Sequence, residues 1–190
     1  FNKMSMAEAC HTYGGFDLEK SQSVGKLRQV AVNLELYTPP EGERWEALFN
    51  RIFLNVVEPN LPQEKPLVLY DYPVQIECLA QKSRRGPYRR RWELYAGGVE
   101  LANCYNEELD GEAVQAFYDD QYPLLVSERS DQGEVIPDID PTFANLFDGQ
   151  FPQCSGVALG VDRLLMLQGG YKRVEDLILF PLSAMLTNGH

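Results

Sequence analysis

The stretch from Ser155 to Leu167, S-G-V-A-L-G-V-D-R-L-L-M-L, constrains the fold more than any other part of the chain. Gly156, Ala158 and Gly160 alternate with Val157, Leu159 and Val161, so an extended segment here has one nearly bare face and one bulky apolar face. That pattern predicts a buried strand that offers its backbone to a ligand. Asp162 and Arg163 follow at once, then Leu164 to Leu167, and Gly169-Gly170 supply the stop for a helix that begins near Asp162. A guanidinium therefore sits at a strand-to-helix junction. Arginine stays charged at any working pH, and it can fork onto phosphate oxygens or stack on a ring, so the position suits a nucleotide. It equally suits a structural pair with a nearby carboxylate.

The remainder of the chain reads as one globular domain with a sizeable core, since 44% of its 190 residues are apolar and 11% aromatic. A formal charge of −11 makes its surface a poor nucleic-acid binder by itself. No apolar run approaches the ~20 residues that span a bilayer, and no leader pattern is visible, so the expected location is the cytoplasm, with no membrane partner. Cys10, Cys78, Cys104 and Cys154 lie far apart without a Cys-x-x-Cys pair, which argues for reduced, mostly buried thiols and against zinc. With only His11 and His190 available, no Ser-His-Asp order exists and Cys104 has no histidine to activate it.

In chain order, helical stretches are predicted at Ser5 to Tyr13, with Ser5 and Glu8 as a capping box, and at Val24 to Leu36. Arg44 to Val57 has apolar residues at spacings of three and four and is ended by Pro59. Leu67 to Tyr72 is β-prone up to Pro73, and Val74 to Leu79 is a turn with a short strand or helix. Lys82 to Arg91 reads as a basic loop turning at Gly86-Pro87, either a solvated hairpin tip or a lip that steers anions. Trp92 to Tyr105 reads as two antiparallel strands hinged at Gly97-Gly98, with Glu93 and Tyr95 on one face. Glu100, Ala102 and Cys104 share a side of the second strand. Carboxylates on half-buried strands are costly unless paired or bound to a cation, so Glu93 and Glu100 fit internal ion pairs, a magnesium-nucleotide complex or a substrate ammonium. Glu112 to Leu125 is a helix with Asp110 as its cap, Ser127 to Pro141 a loop, and Thr142 to Phe147 a short helix. A helical turn at Val174 and an apolar terminal strand at Leu179-Phe180-Pro181 close the pattern.

C-S-G-V-A-L-G-V-D-R-L-L-M-L, Cys154 to Leu167, resembles motif 3 of the class II aminoacyl-tRNA synthetases. R-W-E-L-Y-A-G-G-V-E-L-A-N-C-Y-N-E, Arg91 to Glu107, is similar to the corresponding block of the lysyl-tRNA synthetases. Asp71 to Ala80 resembles the preceding substrate-pocket strand, and Val174 to Pro181 the segment after motif 3. The blocks keep the family's order from about Leu67 onward. The resemblance implies an α+β fold, part of an antiparallel sheet flanked by helices, with residues 1–65 a helical connecting region and 66–190 the C-terminal half of the catalytic domain.

What the resemblance implies for chemistry is an aminoacyl adenylate formed from ATP. Glu93 and Glu100 would hold magnesium and ATP, and Asn103 would position the amino-acid carboxylate or the nucleotide. Glu107 would accept the ammonium of a lysine-like substrate, or Glu108 if one residue is inserted. Arg163 would lie against adenine and phosphates with Gly160 beside it, and Tyr105, Gly156 and Ala158 would line the amino-acid pocket. Ala158, at a place where lysyl-tRNA synthetases resemble one another in having glycine, points to their paralogues that modify translation elongation factor P. Its methyl could favour (R)-β-lysine over lysine. tRNA-Lys is the alternative acceptor, and a non-catalytic module that keeps the fold is a third reading. Cys104 departs from the family's glycine. Motifs 1 and 2, which the resemblance ties to homodimer formation and to the α-phosphate, are not in the chain. A chain opening at Phe1 without them is expected to be a piece of something longer and inactive alone.

Overall fold

The computed structural model describes residues 1–149 and 151–181. Five strands form one sheet in the order β1-β2-β3-β4-β5: β1 Asn2–Ser5, β2 Leu67–Pro73, β3 Tyr88–Ala96, β4 Val99–Asn106 and β5 Ser155–Leu159. Five α-helices accompany it: α1 Met6–Gly14, α2 Val24–Asn33, α3 Trp45–Ile52, α4 Gly111–Gln132 and α5 Val161–Gly169. The fold is α+β, as expected, with a mixed sheet. β1 runs parallel to β2, from Asn2 opposite Leu67 to Ser5 opposite Tyr70. The sequence reading had no strand there, because four residues reading N-K-M-S have no period-two signal and pair only with a segment more than sixty positions away.

Two compact units divide the chain. Of the described residues, the first holds Phe1–Tyr70, Trp92–Asn103 and those from Val157 to Pro181, and the second holds Asp71–Arg91 and those from Cys104 to Gly156.

In the first unit, Ser5 caps α1 through the expected box: the Glu8 amide donates to Ser5 Oγ at 3.2 Å and the Ser5 amide to Glu8 Oε2 at 2.8 Å. Gly15 ends the helix in the left-handed conformation. α2 stops at Asn33, three residues earlier than the pattern predicts, and Glu35 takes a left-handed turn at φ 54°. α3 buries Trp45, Leu48, Phe49 and Ile52 on one face. Trp45 stacks on Phe49 and Phe49 on Phe53, at centroid separations of 5.0 and 5.9 Å, and the Trp45 indole N–H donates to the Ser21 carbonyl at 2.9 Å. The predicted helix continues to Val57 with a change of winding. Phe53–Val57 is a π-turn and Glu58–Asn60 a 3-10 turn with Pro59 in its first positions. Proline supplies no N–H to an α ladder, and the side-chain amides of Asn55 and Asn60 donate to the Arg51 and Val56 carbonyls at 2.7 and 2.8 Å.

β3 and β4 form the predicted hairpin. Gly97 and Gly98 both have positive φ, 60° and 78°, the backbone a two-residue turn with the native twist requires. β3 starts at Tyr88, so the predicted basic loop is shorter than expected: Arg89 is buried within the strand, because a carboxylate and two carbonyls await it, while Arg90 is exposed.

β5 and α5 form the expected strand-to-helix junction, with Gly170 as left-handed stop. β5 is not the buried strand that alternation predicts. It closes one end of the sheet order, and Val157 and Leu159 are 62% and 49% exposed. The terminal strand expected at Leu179–Pro181 is irregular chain with Leu179 and Phe180 exposed; Val174–Asp176 is a 3-10 turn.

In the second unit, Asp110 caps α4 by accepting from the Glu112 amide at 2.9 Å. α4 runs on to Gln132, through Pro123 and into the segment predicted as loop, because Ser127 to Gln132 is polar and solvated on a helix that needs no second apolar face there. A small core of Val114, Ala144 and Phe147 packs with Leu79, Tyr118, Phe143 and Phe151.

Candidate functional site

Three carboxylates of the first unit share one field. Glu93, on β3, is 5% exposed, and the Tyr95 hydroxyl donates to its Oε2 at 2.9 Å. The two residues share a face, as strand alternation predicts. Burial, followed by the charge and hydrogen bond of Glu93 and the charges of Glu58 and Glu100, pushes the Tyr95 phenol well above its ordinary range. Glu58 is half-buried where the π-turn hands over to the 3-10 turn. Burial raises its pKa, the charges of Glu93 and Glu100 raise it further, and Arg163 offsets part of this. Glu58 is the residue the sequence reading missed. Its only signal was a carboxylate next to Pro59 at the end of an amphipathic run.

Arg163 answers those charges from the first turn of α5. Its Nη1 donates to the Glu100 carbonyl at 2.9 Å and lies 3.5 Å from Glu100 Oε2. The side chain remains 54% exposed, so the ion pair itself contributes little stability and the guanidinium keeps donors for a ligand. Gly160 makes the approach possible. Its amide donates to the Leu101 carbonyl at 2.8 Å, and a Cβ there would lie 3.3 Å from Arg163 Cδ. Asn103 is half-buried on β4 and Ala158 is exposed on β5. Among the described residues, no three of His, Cys, Asp and Glu converge on one metal position.

The second unit holds the other residues. The Glu107 amide donates to the Cys154 carbonyl at 3.2 Å, which sets the Glu107 side chain against Gly156: a Cβ on Gly156 would meet Glu107 Oε1. A larger residue there would displace the Glu107 carboxylate. Glu108 has a local task instead, accepting from the Leu109 and Asp110 amides at 2.9 and 3.4 Å beside the cap of α4. Tyr105 is half-buried and presents its ring to Arg91, whose guanidinium lies 5.3 Å from that ring and 4.5 Å from the ring of Tyr72. The buried Arg89 pairs with Glu77 at 2.5 Å and donates to the Ala80 and Val74 carbonyls. The run of arginines is thus divided among tasks, and Arg89 is structural.

With carboxylates and an arginine around an open glycine-edged strand, the first unit suits a polyphosphate with its cation; the Glu107 carboxylate beside Gly156 suits an ammonium. Comparisons with known proteins identify the family. Residues 1–184 match the family model of the class II tRNA synthetases (D, K and N). An elongation factor P–(R)-β-lysine ligase of Proteus mirabilis is 37% identical over 164 residues, 83% of this chain and 48% of that protein. The ligase of the same name from Yersinia pestis is 35% identical over 166 residues, 86% of this chain and 50% of its own length. A lysine–tRNA ligase of Moorella thermoacetica is 31% identical over 180 residues, 94% of this chain and 35% of that protein. The chain spans half or less of the length of these relatives. It belongs to the class II tRNA synthetase family of the D, K and N type.

Proposed function

We propose that the chain is the C-terminal half of the catalytic domain of a cytoplasmic, ATP-dependent ligase that activates lysine or (R)-β-lysine and transfers it to a lysine of translation elongation factor P. Residues 1–65 act as its connecting region and 66–190 carry the substrate-binding half. The observation that carries this reading is the pairing of a three-carboxylate cluster with Arg163.

Glu93 and Glu100, with Glu58 beside them, are hard oxygen donors fit for magnesium. With phosphate oxygens of ATP as the other ligands, one or two of these carboxylates would suffice to hold it, so a three-residue cage is not required. When bound, it neutralises charge on the phosphates. Arg163 lies against adenine and phosphates, and Gly160 gives it room. Glu107 holds the side-chain ammonium of the amino acid, Asn103 orients its carboxylate, and Tyr105, Gly156 and Ala158 shape the space around it.

In the first step a carboxylate oxygen of the amino acid attacks the α-phosphorus of ATP. The new O–P bond forms as the bond to the β-bridging oxygen breaks, and pyrophosphate leaves with that electron pair. In the second step the acceptor amine attacks the adenylate carbonyl, AMP leaves, and the amine proton passes to solvent. Both steps need alignment and charge stabilisation more than a protein nucleophile. The remaining half of the domain completes the pocket and the homodimer.

The second reading is the same part of a lysyl-tRNA synthetase, favoured by the Moorella thermoacetica relative, which matches more of the chain. Full-length protein incubated with ATP and labelled lysine or β-lysine, with elongation factor P or tRNA-Lys as acceptor, separates the two. Label on the factor alone supports the ligase; label on tRNA alone removes it.

A further inference from the structure

A cavity of about 360 Å³ lies in the second unit between α4 and the segment that follows it. Phe117, Tyr118, Tyr122, Leu125 and Phe143 form its apolar walls, and Asp138 and Asp140 stand exposed at its rim. None of the residues given a role above in binding or catalysis lies in it.

Its walls are held in place. Tyr118 and Phe143 meet edge to face at 5.7 Å, and both pack on the Val114–Phe147 core, so the aromatic wall is built before any ligand arrives. The Tyr122 hydroxyl donates to the Pro137 carbonyl at 3.2 Å, tying the following segment back onto α4. Asp140 Oδ1 accepts from the Thr142 amide at 2.8 Å and hydroxyl at 2.6 Å, which keeps that carboxylate ionised at the rim.

The segment that builds the cavity is strongly acidic. From Asp110 to Asp148 the chain carries ten aspartates and glutamates against one cation, a net −9 of its −11. That cation, Arg129, is committed to the loop: it donates to the Val135 carbonyl at 2.7 Å and lies 4.0 Å from Glu134. An anionic occupant would be repelled. A neutral apolar occupant would strip water from two carboxylates without compensating them. An aliphatic stem ending in a cation satisfies both requirements, burying methylenes against the rings while its charge remains at the rim.

We propose that this aromatic, acid-rimmed cavity is a docking site for a lysine or arginine side chain of a basic segment on a partner protein. The field of the surrounding carboxylates attracts such a segment, and the cavity takes one side chain of it as an anchor.

The test uses the full-length protein with tyrosine and phenylalanine labelled for NMR, titrated with acetylated, amidated Gly-Lys-Gly and Gly-Arg-Gly, and with the uncharged norleucine peptide. The basic peptides are expected to shift Tyr118, Tyr122 and Phe143 saturably, with dissociation constants on the order of 1 mM. The affinity should fall at least about fivefold in Asp138→Asn/Asp140→Asn, and likewise between about 20 and about 300 mM salt. Asparagine keeps an acceptor for Thr142, so the loop is expected to survive the double change. The proposal is overturned if the norleucine peptide binds as tightly, if no saturable shift appears, or if the basic peptides move Tyr95 rather than the cavity residues. Shifts that follow the concentration of the chain alone would assign the cavity to a second copy and overturn it too. Activity of the ligase site is not read in any arm, so this outcome and that of the proposed function stand apart.

Discussion

The carboxylate of Glu107 occupies the space beside the α-carbon of Gly156 where any other residue would carry its Cβ. Gly156→Ala must displace the carboxylate, whereas Glu107→Gln puts an uncharged amide of the same shape in its place. Both should weaken an ammonium ligand, because a hydrogen bond to a charged group contributes about 1.5–3 kcal/mol. The expected loss in full-length enzyme is about 10- to 100-fold in kcat/KM for the amino acid, with the KM for ATP unchanged, read by pyrophosphate exchange.

Ala158→Gly removes one methyl from the exposed face of β5. A methyl in a pocket is worth about 1–3 kcal/mol of discrimination, so on the proposed function the ratio of β-lysine to lysine activated should move toward lysine by about tenfold. Competition between the two amino acids for adenylate formation measures it. An unchanged ratio would remove Ala158 from the pocket.

Glu58→Gln should raise the melting temperature of the chain in the absence of nucleotide. Burial, and then the charges of Glu93 and Glu100, disfavour ionised Glu58, and an amide of the same shape carries no charge to bury or repel. Glu93→Gln is different, since Glu93 is the buried acceptor of the Tyr95 hydroxyl. Thermal melts of both variants, compared with wild type, decide the point.

The α1 cap carries a pH signature. Hydrogen bonds from the Ser5 amide, then from its hydroxyl, hold the Glu8 carboxyl below its ordinary range. A depressed folded pKa means that the contribution is full above the unfolded value and is lost as pH falls through the folded one. Ser5→Ala should cost about 0.5–2 kcal/mol at neutral pH. The stability difference between wild type and Glu8→Gln should vanish in strong acid, as denaturation measured against pH will show.

Thiol reactivity should separate the four cysteines. Burial pushes the Cys10 thiol up to about 12, and it raises Cys104 as well, with the Glu107 charge adding to the effect. Cys154 is the one cysteine that is not buried. A disulfide reagent should modify Cys154 first in native protein, and Cys10 only as fast as the chain opens. Peptide mapping at timed intervals reads the order.

Local chemistry explains what could be read from residues alone. The Ser5–Glu8 box, the Gly97-Gly98 turn and the strand-to-helix passage at Arg163 are each specified within a few positions, and all three are observed. Long-range partners explain what could not. β1 exists because β2 is beside it. Arg89 resembles its exposed neighbours until Glu77 and two carbonyls surround it. The exposure of Val157 and Leu159 depends on which strand occupies the end of the sheet, and no alternation encodes that. Within the candidate site, Glu93 and Glu100 are legible as costly carboxylates, but Glu58 feels their charges across more than thirty positions of sequence, which no local pattern encodes.

That winding makes chain length between Phe53 and Glu58 a variable in its own right. A π-turn holds one residue more than an α-turn over the same rise, and each residue of a helix swings the next by about 100°. Deleting a single residue from Leu54 to Val56 would let the α ladder of α3 continue with Glu58 close to its present place, because the π-turn already holds the extra residue, whereas a further insertion would swing Glu58 by about 100°. The position of Glu58 is therefore more tolerant of losing one residue from this turn than of gaining one.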